Sequence, residues 1–410
     1  MEQYTQYFTM KEEDALQYAI TRLNLFDGDA ELTCKEIGDG NLNYVFRIVD
    51  TKSLKSIIIK QAGPVARISD EFKVSTDRNR IESEILQLQS ELAPGLVPKV
   101  YHYDPVMNCC VMEDLSDHEI MRKALLAHKQ FPLFADHIST FMANTLLLTS
   151  DIVMNHKEKK EQQKRFVNPD LCEISEDLVY TEPFYDCPRN EVFGPTRDFA
   201  KTYLWEDEAL LLETAKLKFE FMNHAQSLLH GDLHSGSIFI KEDSTKVIDP
   251  EFAFYGPAGY DVGNVVAHLL FAFVNADSVI EDPAAKEKQK SWLLSCLEDV
   301  INQFRAKWIH LFEEAATERT AKTPGFAEYY LDAIIHDASA VAGMELIRRV
   351  IGLAQVKDIT SISDPAVRAQ AEKLCLMTGK TYIMNRSSIR TGRDFRQVIE
   401  DIIADSRIAN

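Results

Sequence analysis

The sequence predicts an α+β chain of two unequal lobes. A small N-terminal lobe, residues 1–113, carries an antiparallel five-stranded sheet plus one helix; a large, mainly helical C-terminal lobe spans residues 114–410. Three observations support this. Short apolar runs separated by turn residues fill the first part of the chain. Long stretches with apolar residues at helical spacing follow Glu113. Within that second part, HGDLHSGSIF at 230–239 is followed by IDPEF at 248–252, setting two acidic turns beside short apolar strands.

In chain order, Ala15, Leu16, Ala19, Ile20 and Leu23 recur at helical spacing and predict an amphipathic helix over 10–25 with Thr9 as its N-cap. Strands follow over 33–37, 44–49 and 56–60, divided by turn signals. Ile81, Ile85, Leu88 and Leu92 line one face of a helix over 78–91, and 97–103 with 109–112 reads as a hairpin through Asp104, Pro105 and Asn108. HKEKKEQQKR, at 156–165, reads as a solvated face; the aromatic-rich 180–199 stretch is expected to wrap over a cleft. The apolar run 265–274 contains His268 and reads as a buried core helix, since it is about half the roughly 20 residues a membrane span needs.

Net charge is −19, from 64 acidic and 45 basic residues. Such a surface repels phosphate backbones and anionic lipid, which argues against nucleic-acid and membrane-surface binding. The start, MEQYTQYFTMKEED, has neither a basic nor an apolar signal region, so no secretion signal is expected. Seven cysteines, an odd number without a CxxC pair, read as free thiols of a reducing cytoplasm.

The candidate chemistry begins at Gly38-Asp39-Gly40-Asn41-Leu42-Asn43, where glycines between two strands would offer backbone N–H groups to phosphate oxygens and Asn43 tolerates positive φ. Lys60 ends the apolar strand SIIIK, and a buried ammonium needs an anionic partner. Nucleotide phosphates and a carboxylate of helix 78–91 would serve. Glu82 and Glu84 both fit the helical spacing, with Glu82 favoured. Glu113, Asp114 and Leu115, at the junction of the lobes, would leave backbone groups for a purine edge, or form an ordinary acidic linker. Asp232 would accept the proton of an attacking hydroxyl, and Asp249 would chelate Mg²⁺ on the phosphates. His230 and His234 would brace the turn. In GMELIRRVIGLAQ, Glu345, Arg348, Arg349 and Gly352 share one stripe of an otherwise apolar helix, so the arginines face a polar cleft or a partner carboxylate. Which arginine dominates stays open, because about 100° of helix separates them.

In this order the motifs resemble the small-molecule kinases of the choline and aminoglycoside kinase type, which share the two-lobed protein-kinase-like fold. HGDLHSGSIF with IDPEFAFYGPAGYDVGN is most similar to the methylthioribose kinase branch; VPKVYHYD, TEPF and Trp205 of FAKTYLWEDE extend the likeness over most of the chain. The resemblance implies an ATP- and Mg²⁺-dependent transferase of methionine salvage, cytoplasmic and homodimeric, that phosphorylates the anomeric hydroxyl of 5-methylthioribose. It implies Asp232 as catalytic base, with Arg348 and Arg349 on the sugar and transferring group. Gly40, Asn43, Lys60 and Glu82 would serve the ATP phosphates, and Glu113, Asp114 and Leu115 the adenine. Asp249 and Glu251 would hold the metal with Pro250 between them, and Asp261 would tie the catalytic loop to the next helix.

Most of the wider group carries asparagine where Ser237 stands. The serine is shared with the methylthioribose branch, and on an extended segment Glu251 would face the same side as Asp249 and replace the missing ligand. The alternative is a kinase for choline, homoserine or another sugar. Choline calls for an aromatic and acidic cage, where this chain offers two arginines. A catalytically dead scaffold would have lost Lys60, Asp232 or Asp249, and all three are present.

Overall fold

The computed structural model describes residues 4–37, 43–63 and 77–408. Strands β1 (Leu32–Glu36), β2 (Asn43–Asp50), β3 (Ser56–Ala62), β4 (Val100–Asp104) and β5 (Cys109–Glu113) form one antiparallel sheet in the order β1-β2-β3-β5-β4. β3 lies at its centre, and the strand period of two divides its side chains between two cores. Ile57 and Ile59 join Phe46, Ile48, Cys109 and Val111 beneath helix α1 (Glu12–Arg22). Ile58 faces the opposite core with Leu86 of helix α2 (Asp77–Leu92). Lys60 is two residues beyond Ile58, so it too projects toward α2. The α1 terminus differs from the expected Thr9 cap: Lys11 precedes the helix, and its N–H donates to Asp14 Oδ2 at 3.0 Å.

The remainder is mainly helical, with small sheets formed by Glu119–Ile120, Ile238–Lys241 and Ser244–Val247, and by Ser227–Leu228 with Tyr255–Gly256. The helix Gly259–Val279 is long and apolar enough to cross a membrane by length and composition, yet 83% of its most apolar window is buried inside the fold. It packs against the Phe326–Ile351 helix at backbone distance: a Cβ on Gly263 would lie 2.5 Å from the Ala338 carbonyl oxygen. On the other side, a Cβ on Gly343 would lie 2.3 Å from the Gly379 oxygen in the Pro365–Met384 helix. The 326–351 helix is therefore held in fixed register between two neighbours.

HKEKKEQQKR forms a helix, His156–Arg165, that is mostly exposed as expected, with one exception. Lys159 is 1% exposed; its ammonium donates to the carbonyl oxygens of Ala225 at 2.6 Å and Gln226 at 3.0 Å and pairs with Asp151. Three hydrogen-bond partners offset the desolvation that a composition-based reading treats as prohibitive. The 180–199 stretch lies over the C-terminal end of the 326–351 helix: Glu191 N–H donates to the Ile351 oxygen at 2.9 Å, and Trp205 Nε1 donates to the Pro183 oxygen at 3.0 Å.

Candidate active site

The 230–237 turn is built around Gly231, whose φ of +82° suits glycine and whose absent Cβ would lie 2.3 Å from the Phe252 oxygen. Asp261, in the first turn of the 259–279 helix, accepts the His230 N–H at 2.7 Å and the Gly231 N–H at 3.0 Å. One carboxylate thus satisfies two buried backbone donors and pins the loop to the helix. His230 Nε2 donates to the Ile248 oxygen at 2.8 Å while its Nδ1 accepts the Asp232 N–H at 3.2 Å, which fixes the tautomer. His234 Nδ1 accepts the N–H groups of Gly236 and Ser237 at 3.0 and 3.1 Å, leaving Nε2–H to face Asp232 Oδ2 at 3.3 Å. Both histidines brace the turn.

The Asp232 side chain keeps 27% of its surface exposed and has Arg349 Nη2 3.8 Å from Oδ1. Burial pushes its pKa up, but opposite charge outweighs burial and the carboxyl sits below its ordinary value. Burial and the neighbouring cations also hold His234 well below its ordinary value, so it is neutral near pH 7. The groups that lower Asp232 are His234 first, then Arg349 and Arg348. An ionised, partly exposed carboxylate beside arginines can orient a hydroxyl and receive its proton.

In a second cluster, Lys60 Nζ lies 2.8 Å from Glu82 Oε1 and 2.6 Å from Asp249 Oδ1. Glu84 points elsewhere, to Arg80 and Arg165, each at 2.8 Å. Burial would lower the Lys60 pKa, but Asp249 and Glu82 outweigh it and keep the ammonium charged. Asn43 Nδ2 donates to Glu251 Oε2 at 3.3 Å. Arg78, which the sequence reading did not single out, reaches the same carboxylate oxygen at 3.5 Å and the Asn43 oxygen at 3.1 Å. Arg78 precedes Glu82 by one helical turn on α2, which puts both on one face, but nothing local marks its partner Glu251. The expected extended geometry after Asp249 is not found. Asp249 adopts the left-handed conformation, φ +61°, and Pro250–Phe252 forms a 3-10 turn, because Asn168 Nδ2 ties the Glu251 oxygen at 2.8 Å. Both carboxylates still neighbour Lys60, through this turn rather than by strand alternation.

Ser237 lies in the 230–237 turn with its hydroxyl 3.2 Å from His234 Nδ1. Arg348 and Arg349 are both buried and clasp one carboxylate: Arg349 Nε donates to Glu345 Oε1 at 2.7 Å, and Arg348 Nε pairs with Oε2. Of the two, Arg349 is the one that reaches Asp232. Glu113 ends β5, and Asp114 accepts from Arg47 Nε of β2 at 2.5 Å, which fastens the 113–115 junction to the sheet; Leu115 is buried. Gly40 falls outside the described residues.

Residues 33–285 match a model of the phosphotransferase enzyme family. The chain is similar to a methylthioribose kinase of Bacillus pumilus (strain SAFR-032), 42% identical over 97% of this chain and 98% of that one. It is also similar to a methylthioribose kinase of Geobacillus sp. (strain WCH70), 41% identical over 97% of each chain. Among solved structures it is similar to a glucosamine kinase in complex with glucosamine, ADP and inorganic phosphate. That likeness has 12% identity, a TM-score of 0.49, and coverage of 90% of this chain and 86% of that one.

Proposed function

The chain belongs to the phosphotransferase enzyme family and, within it, to the methylthioribose kinases, and from this premise we propose that it transfers the γ-phosphoryl group of ATP to the anomeric hydroxyl of 5-methylthioribose. The product, 5-methylthioribose 1-phosphate, belongs to methionine salvage. The observation that carries this reading is the ionised, partly exposed Asp232 facing Arg349 across the cleft from the Lys60–Asp249–Glu251 cluster.

The donor set suits Mg²⁺. Three carboxylates, Glu82, Asp249 and Glu251, meet two cations, Lys60 and Arg78. Burial pushes Glu82 and Glu251 upward, and the negative charge of Asp249 adds to it against the pull of Lys60. With three carboxylates to two cations, a further cation bound there would favour their ionised forms. Asp249 and Glu251 would hold the ion, which when bound supplies charge neutralisation on the phosphates. Lys60, kept in place by Glu82, would exchange its contact with Asp249 for phosphate oxygens. Asn43, Gly40 and Pro250 would border the phosphates, and Glu113, Asp114 and Leu115 the adenine. Asp232 orients the sugar hydroxyl and takes its proton, while Arg348 and Arg349 steady the sugar and the developing charge. In this reading residues 1–113 grip the nucleotide and residues 114–410 the sugar, in a cytoplasmic homodimer.

ADP release with methylthioribose, choline, homoserine and ribose offered in parallel tests the reading: methylthioribose should be turned over fastest, and faster turnover of any other alcohol would overturn it. D232N is expected to abolish turnover while ATP still binds, read by ADP release beside calorimetry; near-normal activity of that variant would remove Asp232 from its role.

A further inference from the structure

A buried ring of polar groups runs behind Asp232. The Ser235 hydroxyl lies 3.0 Å from His268 Nδ1, and His268 Nε2 lies 3.2 Å from Glu345 Oε1. Glu345 clasps Arg348 and Arg349, and Arg349 returns to Asp232 in the same loop as Ser235. The direction of each bond is determined. A carboxylate only accepts, so His268 Nε2–H donates to Glu345, which leaves Nδ1 to accept the serine O–H. Burial holds His268 down at about 4, so it is a neutral donor at physiological pH. Glu345 is 1% exposed; burial would raise its pKa, yet the two arginines hold it well below the usual carboxylate range.

Within the ring the charges balance, and Arg122, whose Nε donates to the Ser235 hydroxyl at 3.4 Å, adds positive charge beside it. The two arginines oppose Glu345 and Asp232, and the net charge becomes positive when Asp232 takes up the hydroxyl proton. Cationic character thus increases as negative charge builds on the transferring group. The scaffold is rigid at this point. Gly263 brings the His268 helix to backbone contact with the Glu345 helix, and Gly343, two residues before Glu345, is fixed against Gly379.

Resting on the reading above, we infer that His268 and Glu345 are positioning residues for the phosphoryl transfer: Glu345 aims the arginine pair at the sugar and transferring group, and His268 orients Glu345. Neither is expected to touch substrate. Their effect should fall on the sugar side of the reaction and leave the nucleotide side alone.

The test is steady-state kinetics on E345Q, H268L and H268Q, with both KM values measured. E345Q keeps the shape and removes the charge, and is expected to lower kcat/KM for the alcohol by about 100-fold, the scale of a roughly 1 Å misplacement. H268L removes the donor and is expected to cost about tenfold. H268Q offers an amide N–H at the position of Nε2 and should recover most of that loss. KM for ATP should stay within about twofold throughout. Equal impairment of H268L and H268Q, a matching rise in KM for ATP, or wild-type kinetics in E345Q would each overturn the inference. If E345Q does not fold, the two His268 variants decide. Ratios to wild type are taken on whichever alcohol the wild-type chain turns over, so a wrong substrate assignment and a wrong positioning role give different results.

Discussion

Replacing Gly231 by alanine tests how closely the 230–237 turn, the proposed catalytic turn, is held. The added Cβ would lie 2.3 Å from the Phe252 oxygen, 2.7 Å from its carbonyl carbon and 2.9 Å from its Cβ, where side chains essentially never approach within 3.0 Å. Two of these three atoms are backbone, so no rotamer change relieves the clash; either the 230–237 turn or the 250–252 turn must move by the better part of an ångström. The left-handed φ of +82° adds strain of about 1–2 kcal/mol for a residue bearing a Cβ. Asp232 adjoins Gly231, and Pro250–Phe252 carries Glu251, so the displacement separates the two acidic groups of the site whichever side yields. A misplacement of roughly 1 Å costs about 100-fold. We therefore expect kcat of G231A to fall about 100-fold while stability falls by about 2 kcal/mol. ADP release at saturating ATP and sugar reads the first, and urea unfolding reads the second. A kcat within threefold of wild type would show that the loop has slack and that Phe252 does not set the position of Asp232.

Two further outcomes follow from buried charges. K60M strands Glu82, which is 0% exposed, and should destabilise the chain by about 3–5 kcal/mol and abolish turnover. K60M/E82L should recover most of the stability and none of the activity; a double variant as unstable as K60M would contradict that account. Asp337, 3.4 Å from Arg386, is pushed by burial from 3.8 up to about 7, with Glu220 adding to the effect. The folded chain keeps a proton that the unfolded chain has released between about pH 4 and pH 7, so this group makes stability fall as pH rises through that window, by at most about 4 kcal/mol. D337N should flatten the fall, and unfolding free energies at pH 5 and pH 8 that differ as much in the variant as in wild type would refute it.

Legibility in the sequence followed locality. The sheet, the crossing helix and the HGDLH and IDPE turns are each specified by a few adjacent residues, and β2, β3 and β5 fall within two residues of the expected bounds. Helical spacing alone left Glu82 and Glu84 open; strand alternation at Ile58 and Lys60, which sends Lys60 toward α2, comes from the sheet's packing. The Arg78–Glu251 contact and the Ser235–His268–Glu345 path were not legible. Each joins groups far apart in the chain, and neither has a local pattern. His268 read as one polar residue in an apolar run, and only the neighbouring helix gives it a partner. The turn at Asp249 was missed because the tie that bends it comes from Asn168, on a distant segment.

The buried Lys159 has a mechanical consequence. It pegs the 156–165 helix to the Ala225 and Gln226 carbonyls of the helical part. From that base Arg165 and Phe166 extend to α2: Arg165 pairs with Glu84, and Phe166 packs with Ile81 and Ile85. The N-terminal sheet is thus joined to the helical part by more than the chain after Glu113: this strut adds to the contacts of Lys60, Asn43 and Arg78 with the 249–251 turn. A lysine remote from that turn therefore helps to set where α2, and with it Glu82, stands against the helical part.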